Sequence, residues 1–153
     1  MSDASGPSGF VDRAAGELIV QGFPRVPAKV IIALTASEEG RLTASDLAES
    51  LGVSTAAVSG AIRYLTTVGM VRSSTVRGTR RHIYSLPERP WYTVSLTKPG
   101  VYTQFIGVLQ SELERMPASA ARDRIAEMSE FFVFLETRMP RLYEEWIEAR
   151  AGN

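Results

Sequence analysis

A mainly α-helical fold carrying one small β-hairpin is what this sequence predicts, on three observations. Apolar residues recur at steps of three and four over most of the chain. Two runs rich in β-branched residues, MVRSSTV and RHIYSL, read as a strand pair flanking an Arg-Gly-Thr-Arg tip. Just before them, two short amphipathic segments joined by a three-residue turn containing glycine have the spacing of a helix-turn-helix.

The elements follow in order. From Phe10 to Phe23, Phe10, Ala14 and Leu18 stand four apart with Val11, Ala15 and Ile19 beside them, which predicts an amphipathic helix ended by Gly22 and Pro24. PAKVIIALTAS is nearly all apolar and predicts a short buried helix with Pro27 at its first position, where a missing N–H costs nothing. Glu38 to Arg41 predicts a turn. Thr43 or Ser45 can cap the next helix, which carries Leu47, Ala48 and Leu51 on one face and ends at Gly52. Ser54 caps a second helix over about 54–67, with Val58, Ile62 and Leu65 inward and Gly69 as its stop.

After the strand pair and the segment PERPWYTVSLTKPG, Val101, Phe105, Leu109, Leu113 and Met116 predict a helix broken near Pro117. A last helix is expected from about Ser119 to Arg150, bent locally by Pro140. In it Ile125, Met128, Phe132, Leu135, Met139, Leu142 and Trp146 form a heptad-like apolar seam. The expected organisation is a leader at 1–9, a core with its first helix at 10–89, and C-terminal helices at 90–153.

Composition narrows the function classes. The 153 residues are 44% hydrophobic and 22% charged, ordinary for a globular protein, and no apolar run approaches the roughly 18 residues of a membrane span. There is no cysteine, which excludes disulfides and thiolate metal sites and makes a cytoplasmic location the expectation. A single histidine, His82, and the absence of a phosphate-binding glycine motif give no converging catalytic groups, so no catalytic residue, metal ligand or cofactor is expected and an enzyme is disfavoured.

Net charge is zero, but its distribution is uneven. From Ser54 to Leu86 there are five arginines and no acidic residue, whereas from Gln110 onward nine acidic residues face six basic ones. Three of the five, Arg77, Arg80 and Arg81, surround Gly78 and Thr79 at the hairpin tip without a counter-charge. With Val58, Ile62 and Leu65 inward, the opposite face of the second helix carries Thr55, Ala56, Ser59, Gly60, Arg63 and Tyr64, led by Ser54 at the cap. Small side chains let a helix enter a major groove about 12 Å wide, where Ser, Thr and Arg reach base edges or phosphates. A hairpin following such a helix places its tip, about 76–81, beside the groove on phosphate or in the minor groove. The expected partner is double-stranded DNA. The alternative is an interaction module that turns the same hairpin against an acidic protein.

LGVSTAAVSGAIRYLTTVGMV followed by the basic hairpin resembles the winged-helix core of MarR-type bacterial transcription regulators, and the flanking helices are similar to the GbsR-like subgroup. That resemblance implies a homodimer on a pseudo-palindromic operator, recognition helices in successive major grooves, wings in minor grooves, and repression as the usual outcome. Two departures stand out. Many relatives carry Asp-Arg at the wing, where this chain has Thr79 before Arg80, so the usual bracing of the arginine is missing. Several carry a basic residue where this chain has Gly60. No acidic or His/Cys cluster matches the metal-sensing members.

The terminal helices predict the dimer independently. Phe10 and Leu18 at one end, and Phe131, Phe132, Leu135, Met139, Leu142 and Trp146 at the other, offer more apolar surface than a chain this small can cover. Each such side chain contributes about 1.5–3 kcal/mol when buried, which a second subunit would supply. Trp91, Tyr92, Tyr102 and Phe105 are candidates for lining a small-molecule effector pocket, an aromatic cage suited to a quaternary amine. The simpler reading of the same rings is that they are core.

Overall fold

The computed structural model describes residues 7–76, 78–79, 81–88, 100 and 102–152, apart from the side chains of residues 7 and 8. It divides into two compact units, Met1–Trp91 and Tyr92–Asn153.

The first unit is built around α2. Helix α1 (Pro7–Val20) is followed by α2 (Arg25–Ala36), strand β1 (Arg41–Thr43), α3 (Ala44–Leu51), α4 (Thr55–Thr67) and strands β2 (Arg72–Thr75) and β3 (His82–Ser85). Helix α2 packs on both α1 and α4. Its Val30, Ile31 and Leu34 are fully buried, together with Leu47 of α3 and Val58 and Leu65 of α4. Side chains with no water contact at all contribute most to stability, so this cluster fixes how the helices sit. A surface ion pair, Lys29 Nζ to Asp12 Oδ1 at 2.8 Å, joins α2 to α1.

Pro27 is the third residue of α2 rather than its first. Pro24 precedes the helix in an extended conformation, and its carbonyl accepts from the Ala28 N–H at 2.9 Å. Pro27 still lies in the opening turn, where amides have no intrahelical acceptor, so the ring is tolerated there as it would be at the first position.

The expected hairpin is the larger part of a three-stranded antiparallel sheet, ordered β1-β3-β2. Arg41, Leu42 and Thr43 pair with Ser85, Tyr84 and Ile83, while Arg72 to Thr75 pair with Ser85 to His82. The expected turn at Glu38 to Arg41 thus gives way to a strand at Arg41. Met70 and Val71, read as strand residues, come before β2 and are buried in the core.

The second unit contains α5 (Thr103–Leu113) and α6 (Ala120–Ala151), packed on one another. Ser119 caps α6 by accepting from the Arg122 N–H at 3.2 Å, and the helix runs on past Pro140. On α5 the buried residues are Ile106 and Leu109, whereas Phe105 is exposed over part of its ring. Thr103 Oγ1 donates to Glu136 Oε1 at 2.9 Å and ties the start of α5 to the middle of α6. No helix among the described residues is long and apolar enough to cross a membrane.

Candidate nucleic-acid interface

The local sequence explains why α3 and α4 meet as they do. Thr43 Oγ1 accepts from the Asp46 N–H at 3.2 Å, and Asp46 Oδ2 accepts from the Thr43 N–H at 2.9 Å, a reciprocal capping box. Gly52 closes α3 with φ 62°, a left-handed conformation that carries little penalty only without a Cβ. Two residues later Ser54 Oγ accepts from the Ala57 N–H at 3.1 Å and starts α4. The turn is therefore Gly52, Val53 and Ser54, as the spacing predicts.

Helix α4 is divided cleanly into two faces. Val58, Ala61, Ile62 and Leu65 are buried. Thr55, Ala56, Ser59, Gly60, Arg63 and Tyr64 are exposed, as is Ser54 at the cap. Tyr64 keeps 39% of its surface open, and its ring meets Phe23 edge-on at 5.9 Å. It therefore helps hold α4 against the start of α2 as well as bordering the exposed face. Gly60 is a helical glycine with neither a positive φ nor any atom within 4 Å of where a Cβ would stand. Neither the backbone nor internal packing demands glycine at that point.

The hairpin tip is organised by Thr79. Its N–H and Oγ1–H both donate to the Val76 carbonyl, at 3.0 and 3.2 Å, and its Oγ1 accepts from the Arg81 N–H at 3.2 Å. The Val76 N–H donates to the Arg81 carbonyl at 3.0 Å and closes the end of the ladder. Arg81 is exposed at the base of this tip, with His82 after it and Ser73 Oγ 3.3 Å from His82 Nδ1. Arg77 and Arg80 lie outside the described residues.

Beneath the tip, Thr43, Ser45, Asp46, Arg81, His82 and Tyr84 line a polar cavity of about 270 Å³. Hydrogen bonds from the Thr43 hydroxyl and then the Thr43 amide hold the Asp46 carboxyl below its ordinary range, and the Arg81 charge adds to the effect. Asp46 was not among the residues singled out from sequence. A second, mostly apolar cavity of about 700 Å³ lies among α1, α2, β1 and α3, bordered by Val11, Asp12, Lys29, Leu42, Asp46 and Leu51. Of the rings proposed for an effector pocket, Trp91 and Tyr92 lie outside the described residues. Tyr102 and Phe105 pack on Phe132, with ring centroids 4.9 and 5.1 Å away, and serve the α5–α6 contact.

Among the residues expected at a dimer contact, Phe131 is 55% exposed and Leu142 50% exposed, and Phe134, outside that set, is also 55% exposed. Trp146 and Phe10 are exposed as well, while Leu18, Phe132, Leu135 and Met139 are half-buried. Val108 on α5 is more open than any of them. No group of three or more potential metal ligands occurs among the described residues.

Comparison with known proteins finds two family models, each over part of the chain. Residues 21–82 match the model of the MarR family, and residues 89–150 match that of MmpR5-like MarR family transcriptional regulators. Between them these take in the helix-turn-helix, strands β1 and β2, and nearly all of both C-terminal helices, while most of β3 falls between the two. Both stretches are thus similar to the MarR family of winged-helix transcriptional regulators. A crystal structure described as a transcriptional regulator superposes on this chain with a TM-score of 0.81, at 17% identity, over 93% of this chain and 98% of that one. At that identity the likeness speaks for the fold. Adhesin competence repressor AdcR from Streptococcus pyogenes (TM-score 0.42, 22% identity, 84% of this chain and 95% of that one) and a MepR variant from S. aureus (0.44, 19%, 84% and 91%) are more distant. No curated protein matches the chain. MarR-family members are regulators rather than enzymes, and this chain is placed with them on that ground.

Proposed function

We propose that the protein is a homodimeric regulator that binds double-stranded DNA in a sequence-dependent way. Helix α4 enters the major groove through Thr55, Ala56, Ser59, Gly60 and Arg63, and the wing lays Arg77, Arg80 and Arg81 on phosphate or in the minor groove. The observation that carries this reading is the exposed face of α4: slender, free of acidic side chains, with an arginine one to two turns in, backed by a fully buried opposite face. A helix N-terminus adds amide hydrogens and a positive dipole end suited to phosphate.

Exposed Phe131, Phe134 and Leu142 support dimerisation through the chain ends, and a two-fold dimer would set half-sites about 34–36 Å apart on a pseudo-palindromic operator. Repression of nearby genes is the expected outcome. The GbsR-like subgroup is proposed on the flanking helices alone; the match over residues 89–150 is to MmpR5-like regulators.

Selection of bound fragments from genomic DNA tests the reading and returns the operator together. Affinity should fall steeply with added salt as condensed counterions are released. Replacing Arg80 and Arg81 together by Ala should weaken duplex binding and leave the dimer intact. Salt-insensitive binding, or recovery of no fragment above background, would favour the protein-interaction alternative.

A further inference from the structure

We infer that Asp46, at the start of α3, is the positioning residue for Arg81, the arginine at the base of the wing. The inference rests on the DNA-binding reading and adds to it the residue that aims the wing's proximal arginine.

Four observations converge. The wing itself offers no acid between Arg72 and Ser85, so an arginine on it has no local partner. Asp46 and Arg81 line the same small polar cavity, so carboxylate and guanidinium face a common space without closing an ion pair. The Arg81 charge is near enough to add a small part to the lowering of the Asp46 carboxyl that the Thr43 hydrogen bonds chiefly cause. Finally, Asp46 is itself held in place. The Thr43 N–H at 2.9 Å and the Thr43 O–H at 2.7 Å both donate to its Oδ2, which leaves Oδ1 outside the cap.

The rigidity of the anchor matters. Thr43 is at once the last residue of β1, opposite Ile83 of β3, and the N-cap of α3. Arg81 comes two residues before Ile83 on the arm leading into β3, with its backbone fixed by Val76 and Thr79. The carboxylate therefore belongs to the same hydrogen-bonded frame as the arginine it faces. A fixed charge at the base of a mobile guanidinium narrows the directions it can take before DNA arrives, so less freedom is lost on binding.

The test turns on a sign. Asp46→Asn keeps an oxygen to accept from Thr43 but removes a negative charge near the phosphates. If Asp46 acts only as a surface charge, D46N binds every duplex more tightly. If it positions Arg81, D46N binds the strongest genomic fragment recovered by selection about fivefold more weakly, a size typical of coupled neighbours. A scrambled duplex of equal length should bind as well as before or better.

Asp46→Glu, which keeps the charge, should restore binding of the recovered fragment to within about twofold. In an Arg81→Ala background D46N should no longer weaken that fragment's binding. Undiminished binding by D46N, or an equal loss with and without Arg81, overturns the inference while leaving the DNA reading standing. If the wild-type protein shows no salt-sensitive duplex binding, both fall together. Circular dichroism of each variant confirms that the comparisons concern folded protein.

Discussion

Thr43 and Asp46 grip each other in both directions, the threonine hydroxyl accepting from the aspartate amide and the aspartate carboxylate accepting from the threonine amide. Because Thr43 also pairs with Ile83, this one exchange joins the helix-turn-helix to the wing. Thr43→Ala should therefore lower unfolding free energy by about 1 kcal/mol, the usual cost of losing an N-cap oxygen, measurable by urea denaturation.

The same exchange predicts a pH dependence. Asp46 has a folded pKa below its unfolded value, so its contribution is present above the ordinary aspartate range and is lost as pH falls through the lowered folded value. The melting temperature of the wild type should exceed that of D46N at pH 7. The gap should narrow below about pH 4, where the unfolded carboxyl begins to bind protons. A gap that widens in acid would mean the aspartate is not stabilised by its charge.

Gly60 should separate stability from binding. An open site for a Cβ in a helix interior means that Gly60→Ala gains helix propensity, about 0.5–1 kcal/mol, with nothing to clash against. In a chain of this size that raises the melting temperature by roughly 1–4 °C. If α4 lies close in the groove, the same substitution weakens operator binding, and Gly60→Leu abolishes it while the protein stays folded.

The two faces of α4 should respond oppositely to alanine. Leu65→Ala empties a fully buried position and should cost about 2–5 kcal/mol, enough to threaten the fold. Ser59→Ala and Arg63→Ala, on the exposed face, should change stability by no more than about 0.5 kcal/mol and still impair duplex binding.

Charged residues at Phe131 and Phe134 should break the dimer. Sedimentation of the wild type at micromolar concentration is expected to give about twice the 16.8 kDa of one chain, and the Phe131→Glu, Phe134→Glu variant the mass of one. A wild type sedimenting as a single chain would remove the dimer from the account.

Much of the helix-turn-helix was legible because its signals are local. Gly52, Ser54 and the steps among Val58, Ile62 and Leu65 act within a turn or two of themselves, and Thr43 was one of two caps considered. What escaped depends on contacts distant in the chain. Three residues, Arg41 to Thr43, make no strand until β3 lies beside them, so periodicity had nothing to register. On α5 both Phe105 and Ile106 fit an apolar stripe, and packing against α6 chose Ile106 for the interior. On α6 the one fully covered residue among those described is Ser129, a small polar side chain that no hydrophobic pattern marks. The Asp46–Arg81 relation joins positions from different elements, and no spacing rule brings a helix cap and a wing base together.

Backbone amide NMR shifts on titrating the selected operator duplex into the labelled protein test the central claim most directly. The largest changes are expected at Ser54, at residues 55–64 of α4 and at 78–82 of the wing, with α6 nearly silent. Changes concentrated on other surfaces, with the exposed face of α4 unmoved by duplex, would contradict it.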